Sequence, residues 1–141
     1  MDKQWYQMLV SASKDIMKIT GTGSSAYVQG YFEYDSKKSG GVTKSQLRFG
    51  KDPIRSTYYV TNPNTVVLTK ESYLGKYDIL SGIREDGIFI LNTSKTKDEV
   101  LEILSGKEKN IIKDRRIKFY IIDANNIAKE VGLGNKISSI M

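Results

Sequence analysis

A chain of 141 residues and 15.9 kDa fits one domain, and folding at that mass can bury about two-thirds of the surface, enough for a core without disulfide or metal. Cysteine and histidine are both absent, which excludes disulfides, thiolate-held iron–sulfur clusters, cysteine nucleophiles, cysteine or histidine metal sites and Ser-His-Asp catalysis. The 22 Lys and Arg against 16 Asp and Glu leave a charge of +6, which suits anionic partners such as a phosphate, a nucleotide or nucleic acid, and equally suits plain solubility.

In chain order, the first periodic segment is Met8 to Ile19, with Leu9, Ala12, Ile16 and Ile19 at helical spacing. Gly21-Thr22-Gly23-Ser24-Ser25 reads as the linker that ends it. Ala26 to Tyr34 alternates as a strand: Val28, Gly30, Phe32 and Tyr34 face one way, and Tyr27, Gln29, Tyr31 and Glu33 face the other. After the polar loop Asp35 to Gly41, Val42 to Phe49 and Ile54 to Val60 read as two further extended segments, antiparallel neighbours around Gly50 to Pro53. Beyond Asn62-Pro63-Asn64 the pattern changes. Thr65 to Thr69, Ile88 to Leu91 and Ile117 to Ile122 are short, continuously apolar strands of the kind buried on both faces. Between them Glu71 to Leu80 reads as helical despite Gly75. Thr96 and Glu99 have capping-box spacing ahead of Val100, Leu101, Ile103 and Leu104. Lys107 to Arg116 reads as a charged connection, with a turn of helix as the alternative. Asp123 caps a last helix to Val131, which Gly132 stops.

Strand and helix in alternation predict right-handed parallel crossovers. The expected fold is therefore α/β: a mostly parallel sheet with flanking helices, plus an N-terminal antiparallel strand section, in a single domain of residues 1–141. Ile137, Ile140 and Met141 begin a new amphipathic pattern that stops in mid-turn, as expected of a domain cut from a longer chain. No stretch of 18 apolar residues is present, so no transmembrane helix is expected, and the N-terminus lacks the apolar core of a signal peptide.

Few constellations carry chemistry. Gly21-Thr22-Gly23 and Gly132-Leu133-Gly134-Asn135 follow helices instead of linking a strand to one, so they read as a linker and a helix stop. The loop Ser36-Lys37-Lys38-Ser39-Gly40-Gly41 is more specific: lysines bring charge, serines donate hydrogen bonds, and glycines let backbone N–H groups approach an anion. Composition alone also fits a solvated turn. Arg48 and Arg55 lie on the following extended segments, and an arginine suits phosphate or carboxylate. Lys113 to Arg116 reads as a solvated charge run. The nine tyrosines read as half-buried strand and helix residues, with base stacking as the alternative. Asp35 and Asp78 stand without a visible partner, so no catalytic pair can be named.

Tyr27 to Gly41 as a block resembles the gamma region of pyruvate:ferredoxin (flavodoxin) oxidoreductase, the 2-oxoacid oxidoreductase family. So do Leu47-Arg48-Phe49-Gly50, Pro53 to Tyr58, Lys76-Tyr77-Asp78, Gly87 to Asn92, Lys118 to Ala124, and Ile127 to Asn135. The resemblance runs over nearly the whole chain from Leu9. It implies a gamma domain of a larger cytoplasmic enzyme that turns pyruvate and coenzyme A into acetyl-CoA and carbon dioxide and passes electrons to ferredoxin or flavodoxin. It further implies that thiamine diphosphate, Mg²⁺ and iron–sulfur clusters sit in other domains of the parent enzyme. This domain would bind no cofactor alone, and would supply scaffold and a share of the coenzyme A site through Ser36, Lys37, Lys38, Ser39 and Arg55. The alternative class is a free-standing basic module that binds nucleotide or nucleic acid; within the resemblance, nucleic acid is not an expected partner. Two departures stand out: Ser11-Ala12-Ser13-Lys14 replaces the family's glycine-rich opening of the first helix, and Gln46 stands where the family often has histidine.

Overall fold

The computed structural model describes residues 3–34, 42–134 and 140. Its elements run α1 (Lys3–Gly23), β1 (Tyr27–Tyr34), β2 (Thr43–Gly50), β3 (Thr65–Leu68), a short 3₁₀ turn (Glu71–Tyr73), β4 (Ile88–Asn92), α2 (Lys97–Ile103), α3 (Gly106–Asp114), β5 (Lys118–Ile122) and α4 (Ala124–Glu130). The class is the expected one, α/β with a parallel sheet and an N-terminal antiparallel pair. The residues form two compact units that meet in sequence between Val60 and Thr61.

In the first unit, β1 and β2 are antiparallel from Tyr27↔Gly50 to Tyr34↔Thr43. The helix α1 lies on the face that carries Gly30 and Leu47. A Cβ at Gly30 would meet the Met17 thioether, the flexible end of a helix side chain that would have to shift to make room. Of the expected apolar stripe of α1, Ile16 and Ile19 are exposed and Ala12 is half-buried, while Ser13 is buried and Met17 half-buried. The helix also runs through the expected linker as far as Gly23. Thr22 Oγ1 donates to the Lys18 carbonyl and Ser24 Oγ to the Thr20 carbonyl, both at 2.7 Å, each bonding back to the carbonyl four residues earlier.

The expected third strand does not form. Ile54 to Val60 joins no ladder. Its backbone is held by side chains of the hairpin instead, so the pairing expected between it and β2 is replaced by a β1–β2 pair.

The second unit is a three-stranded parallel sheet in the order β3-β4-β5, registered Val67↔Ile90↔Tyr120 and Leu68↔Leu91↔Ile121. Both crossovers pack on one face. Leu74, Leu80 and Ile83 from the first, and Val100 and Leu104 from the second, cluster with Leu68, Phe89 and Leu91, and Phe119 stacks on Phe89 at 4.9 Å. The outer strands therefore bury one face only, contrary to the sequence expectation: Val67 is 48% and Tyr120 55% exposed.

Two helix readings change. Glu71 to Leu80 forms only the 3₁₀ turn, because Leu74 turns extended (ψ 135) and Gly75 takes φ +70; the Gly75 N–H then bonds the buried Glu108 carboxylate at 3.1 Å rather than a helical carbonyl. The charged connection at Lys107 to Arg116 is in fact helix α3, opened by a Ser105/Glu108 capping box. That box was readable in Ser105-Gly106-Lys107-Glu108. The other caps match: Thr96 with Glu99 for α2, and Asp123 for α4. Gly132 (φ +76) closes α4, with Leu133 N–H bonded to the Ala128 carbonyl at 2.8 Å.

Candidate anion-binding site

The hairpin face away from α1 alternates hydrogen-bonding side chains: Gln29 and Glu33 on β1, Gln46 and Arg48 on β2. They form one network. Gln29 Nε2 donates to the Ser56 carbonyl at 2.6 Å, and Arg48 donates to Gln29 Oε1 at 3.0 Å and to the Tyr58 carbonyl. Gln46 donates to Glu33 at 3.0 Å and accepts from the Val60 N–H. Arg48 also lies 5.0 Å from the Tyr58 ring centroid, close enough for a cation–π contact. Its guanidinium is thus engaged in holding the 54–60 segment.

Arg55 differs. It is exposed, and among the described residues it pairs with no carboxylate. Of the two arginines that follow the Ser-Lys-Lys-Ser loop, Arg55 is the one with its donors uncommitted. Ser36, Lys37, Lys38 and Ser39 themselves lie outside the described residues, as does Asp35. In sequence they fall between Tyr34 and Thr43, which are register partners at one end of the hairpin.

Tyr31 and Tyr59 meet edge to face at 5.0 Å, and the Tyr59 hydroxyl donates to the Tyr31 oxygen at 3.4 Å. That hydrogen bond, with the Tyr31 and Glu33 charges behind it, keeps the Tyr59 proton above the usual phenol range. Tyr58 and Tyr59 are on the irregular segment and exposed, and Tyr27, Tyr31, Tyr77 and Tyr120 are exposed as well, so the reading of the tyrosines as half-buried strand and helix residues does not hold for these six.

A second polar cluster ties the carboxyl ends of the parallel strands. Buried Asn92 donates to the Thr69 carbonyl at 3.3 Å and accepts from the Ala124 N–H at 3.0 Å, so one amide links the ends of β3, β4 and β5. Beside it the Thr93 hydroxyl donates to Glu71, and Lys95 lies 3.2 Å away. Thr93 first, then Lys95, hold the Glu71 carboxyl below the usual range. Every group here has a partner within the cluster. Asp78, read from sequence as isolated, pairs with Lys107 at 3.0 Å, and that hydrogen bond lowers its pKa.

The charge run at Lys113 to Arg116 is not merely solvated. Arg115 donates to the carbonyls of Ser81 and Ile83, and Arg116 makes a two-pronged contact with Asp86, both distances 2.9 Å. Among the described residues, no three potential ligands from His, Cys, Asp and Glu come together, and no helix is long and apolar enough to cross a membrane.

These features define an α/β domain with no acid–base or nucleophile constellation among the described residues. The chain belongs to the pyruvate ferredoxin/flavodoxin oxidoreductase family, whose pattern it matches over residues 7–141. It is 47% identical to the pyruvate:ferredoxin oxidoreductase of Moorella thermoacetica over 94% of its own length and 11% of that protein. It is 44% identical to the pyruvate-flavodoxin oxidoreductase of Enterobacter agglomerans, again over 94% of this chain and 11% of the relative. The pyruvate dehydrogenase [NADP(+)] of Cryptosporidium parvum is also 44% identical over 94% of this chain, which is 7% of that protein. The chain thus spans about a tenth of the length of the curated relatives it matches. Among solved structures, subunit PORC of pyruvate oxidoreductase from Thermotoga maritima superposes with a TM-score of 0.57 at 26% identity, covering 94% of this chain and 60% of that one.

Proposed function

We propose that residues 1–141 form one gamma-type domain of a larger, cytoplasmic, multidomain 2-oxoacid oxidoreductase. That enzyme converts pyruvate and coenzyme A to acetyl-CoA and carbon dioxide and hands the electrons to ferredoxin or flavodoxin. The observation that carries the reading is the 47% identity to a pyruvate:ferredoxin oxidoreductase across 94% of this chain. Thiamine diphosphate with Mg²⁺ and iron–sulfur clusters supply the carbanion and electron chemistry of such an enzyme. The residues here do not fit them. There is no thiolate for a cluster, and the described carboxylates do not gather into a metal site. The redox steps therefore belong to other domains, and this chain alone is expected to have no oxidoreductase activity.

Its own share is a coenzyme A contact. Ser36, Lys37, Lys38 and Ser39, with Arg55, meet the phosphates of coenzyme A. The composition of the loop and the uncommitted guanidinium of Arg55 support this. A charge-assisted hydrogen bond contributes roughly 1.5–3 kcal/mol, so its loss weakens binding about tenfold to a hundredfold. The test is steady-state kinetics of the parent enzyme carrying Lys37→Ala and Lys38→Ala at varied coenzyme A. The Michaelis constant for coenzyme A rises by that factor while coenzyme A-independent pyruvate decarboxylation is unchanged. An unchanged constant returns the loop to a solvated turn. Submicromolar nucleic-acid binding at physiological salt by the same protein would instead favour the basic-module class.

A further inference from the structure

One face of the parallel sheet is only partly covered: Asn92, in the same alternation as Ile88 and Ile90, is buried and accepts from the Ala124 N–H that opens α4, while the strand rows before it stay open. Both crossovers of the unit pack on the side of Phe89, Leu91 and Leu68. On the opposite side the row Val67–Ile90–Tyr120 lies in register, flanked by Thr65–Ile88–Lys118. Val67 is 48% and Tyr120 55% exposed, with Ile90 and Ile88 half-buried between them. Parallel sheets are normally covered on both faces, because crossover helices are what shield them. Here the strand order β3-β4-β5 follows the chain order, so successive crossovers of one hand fall on one side and this unit has no crossover left for the other.

We propose that this face docks a single amphipathic α-helix supplied by the part of the enzyme outside this chain. The inference rests on the reading of the chain as one domain of a larger protein. Size argues for a helix over a second copy. Three strands spaced about 4.8 Å apart and four to five residues long present a patch roughly 15 Å square, wide enough for one helix about 10 Å across. A stable dimer buries about 800 Å² per partner, several times that patch. The source of the helix follows from length: about nine-tenths of the matched relatives lies outside the region this chain spans. The occupant presents an apolar stripe to Val67, Ile90 and Tyr120.

The test uses the intact parent enzyme. Hydroxyl-radical footprinting of the unmodified protein reads Tyr120 against Tyr58, which is similarly exposed within this chain. Tyr120 is expected to oxidise at least tenfold more slowly. The Val67→Cys and Tyr120→Cys variants, followed by maleimide labelling and peptide mass spectrometry, give the same comparison against Asp98→Cys on α2. A photo-crosslinking residue at position 120 is expected to capture a helix from outside residues 1–141. Equal oxidation and labelling at the test and control positions overturns the proposal, and so does a crosslink into the same segment of a second copy. A native protein with the mass of this chain alone overturns the larger-enzyme reading and this proposal together. A larger enzyme with a reactive Val67 and Tyr120 overturns the docking alone. The coenzyme A kinetics of the lysine variants are independent of either outcome.

Discussion

Eleven apolar side chains of the parallel-sheet unit are more than nine-tenths buried, whereas in the hairpin unit Ser13 alone reaches that burial among the described residues. The parallel-sheet unit is held by apolar packing that no single hydrogen bond controls. The hairpin unit is held by amide and guanidinium groups that each tie down one carbonyl or N–H of the 54–60 segment. Apolar burial is non-directional and shared among many neighbours. A side chain bonded to backbone is directional and local, so its loss frees one stretch without unfolding the rest. Arg55, the described member of the proposed anion site, lies in that locally held segment.

The largest effect should come from Phe89→Ala, which empties the centre of the sheet where Phe89 is fully buried and stacked on Phe119. Truncating a buried aromatic costs about 3–5 kcal/mol, read as a lower denaturation midpoint; a loss under about 1 kcal/mol would mean the core is not continuous there. Gln46→Leu sharpens the contrast from the other side. It strips the Val60 N–H and Glu33 of their partner, at about 1–2 kcal/mol. Amide exchange should accelerate around Ser56 to Val60 and stay unchanged in β3, β4 and β5; a uniform rise across both units would break the comparison.

Thr93→Val probes a polar tie within the apolar unit. Glu71 titrates below its ordinary value, so it adds stability that is fully present above that value and is lost as pH falls through the lowered one. Without the Thr93 hydroxyl, its carboxyl should titrate closer to the ordinary range by NMR. Acid unfolding should then lose part of its pH dependence below the ordinary carboxylate value. An unshifted Glu71 would assign the lowering to Lys95 instead. The smallest effect is expected from Arg116→Gly. Arg116 (φ 52) ends α3 in the left-handed region, where its N–H bonds the Lys113 carbonyl and the Ile117 N–H bonds the Ile112 carbonyl. Glycine suits that position, while the pair lost with Asp86 is exposed and contributes little. The thermal midpoint should rise slightly; a fall would show that the Asp86 contact governs the turn.

The parallel strands, the capping residues Thr96 and Asp123 and the Gly132 stop were all readable from sequence, because each rests on residues within a few positions of one another. The Ser105 box was equally local and simply sat inside a charge-rich stretch that reads as loop. What escaped were the tertiary relations. Nothing near Glu71 in sequence announces that Gly75 will reverse the chain and bond Glu108, 33 positions on. Gln29 and Gln46 carry no local signal that they replace a missing third strand; their meaning appears only once β1 and β2 pair.

The same division runs through the functional reading. Family membership follows from the order of residues along Tyr27 to Asn135, and the absence of cysteine alone rules out cluster ligation by this chain. Both are properties of the linear chain. Which arginine is tied into the hairpin and which stays exposed was decided by the fold. Arg48 faces Gln29 and the Tyr58 carbonyl across the hairpin, and Arg55 does not. Which apolar strand face is left uncovered was decided there too. Periodicity records that Val67, Ile90 and Tyr120 are able to be buried, but burial depends on where the crossovers pass, and both pass on the other side.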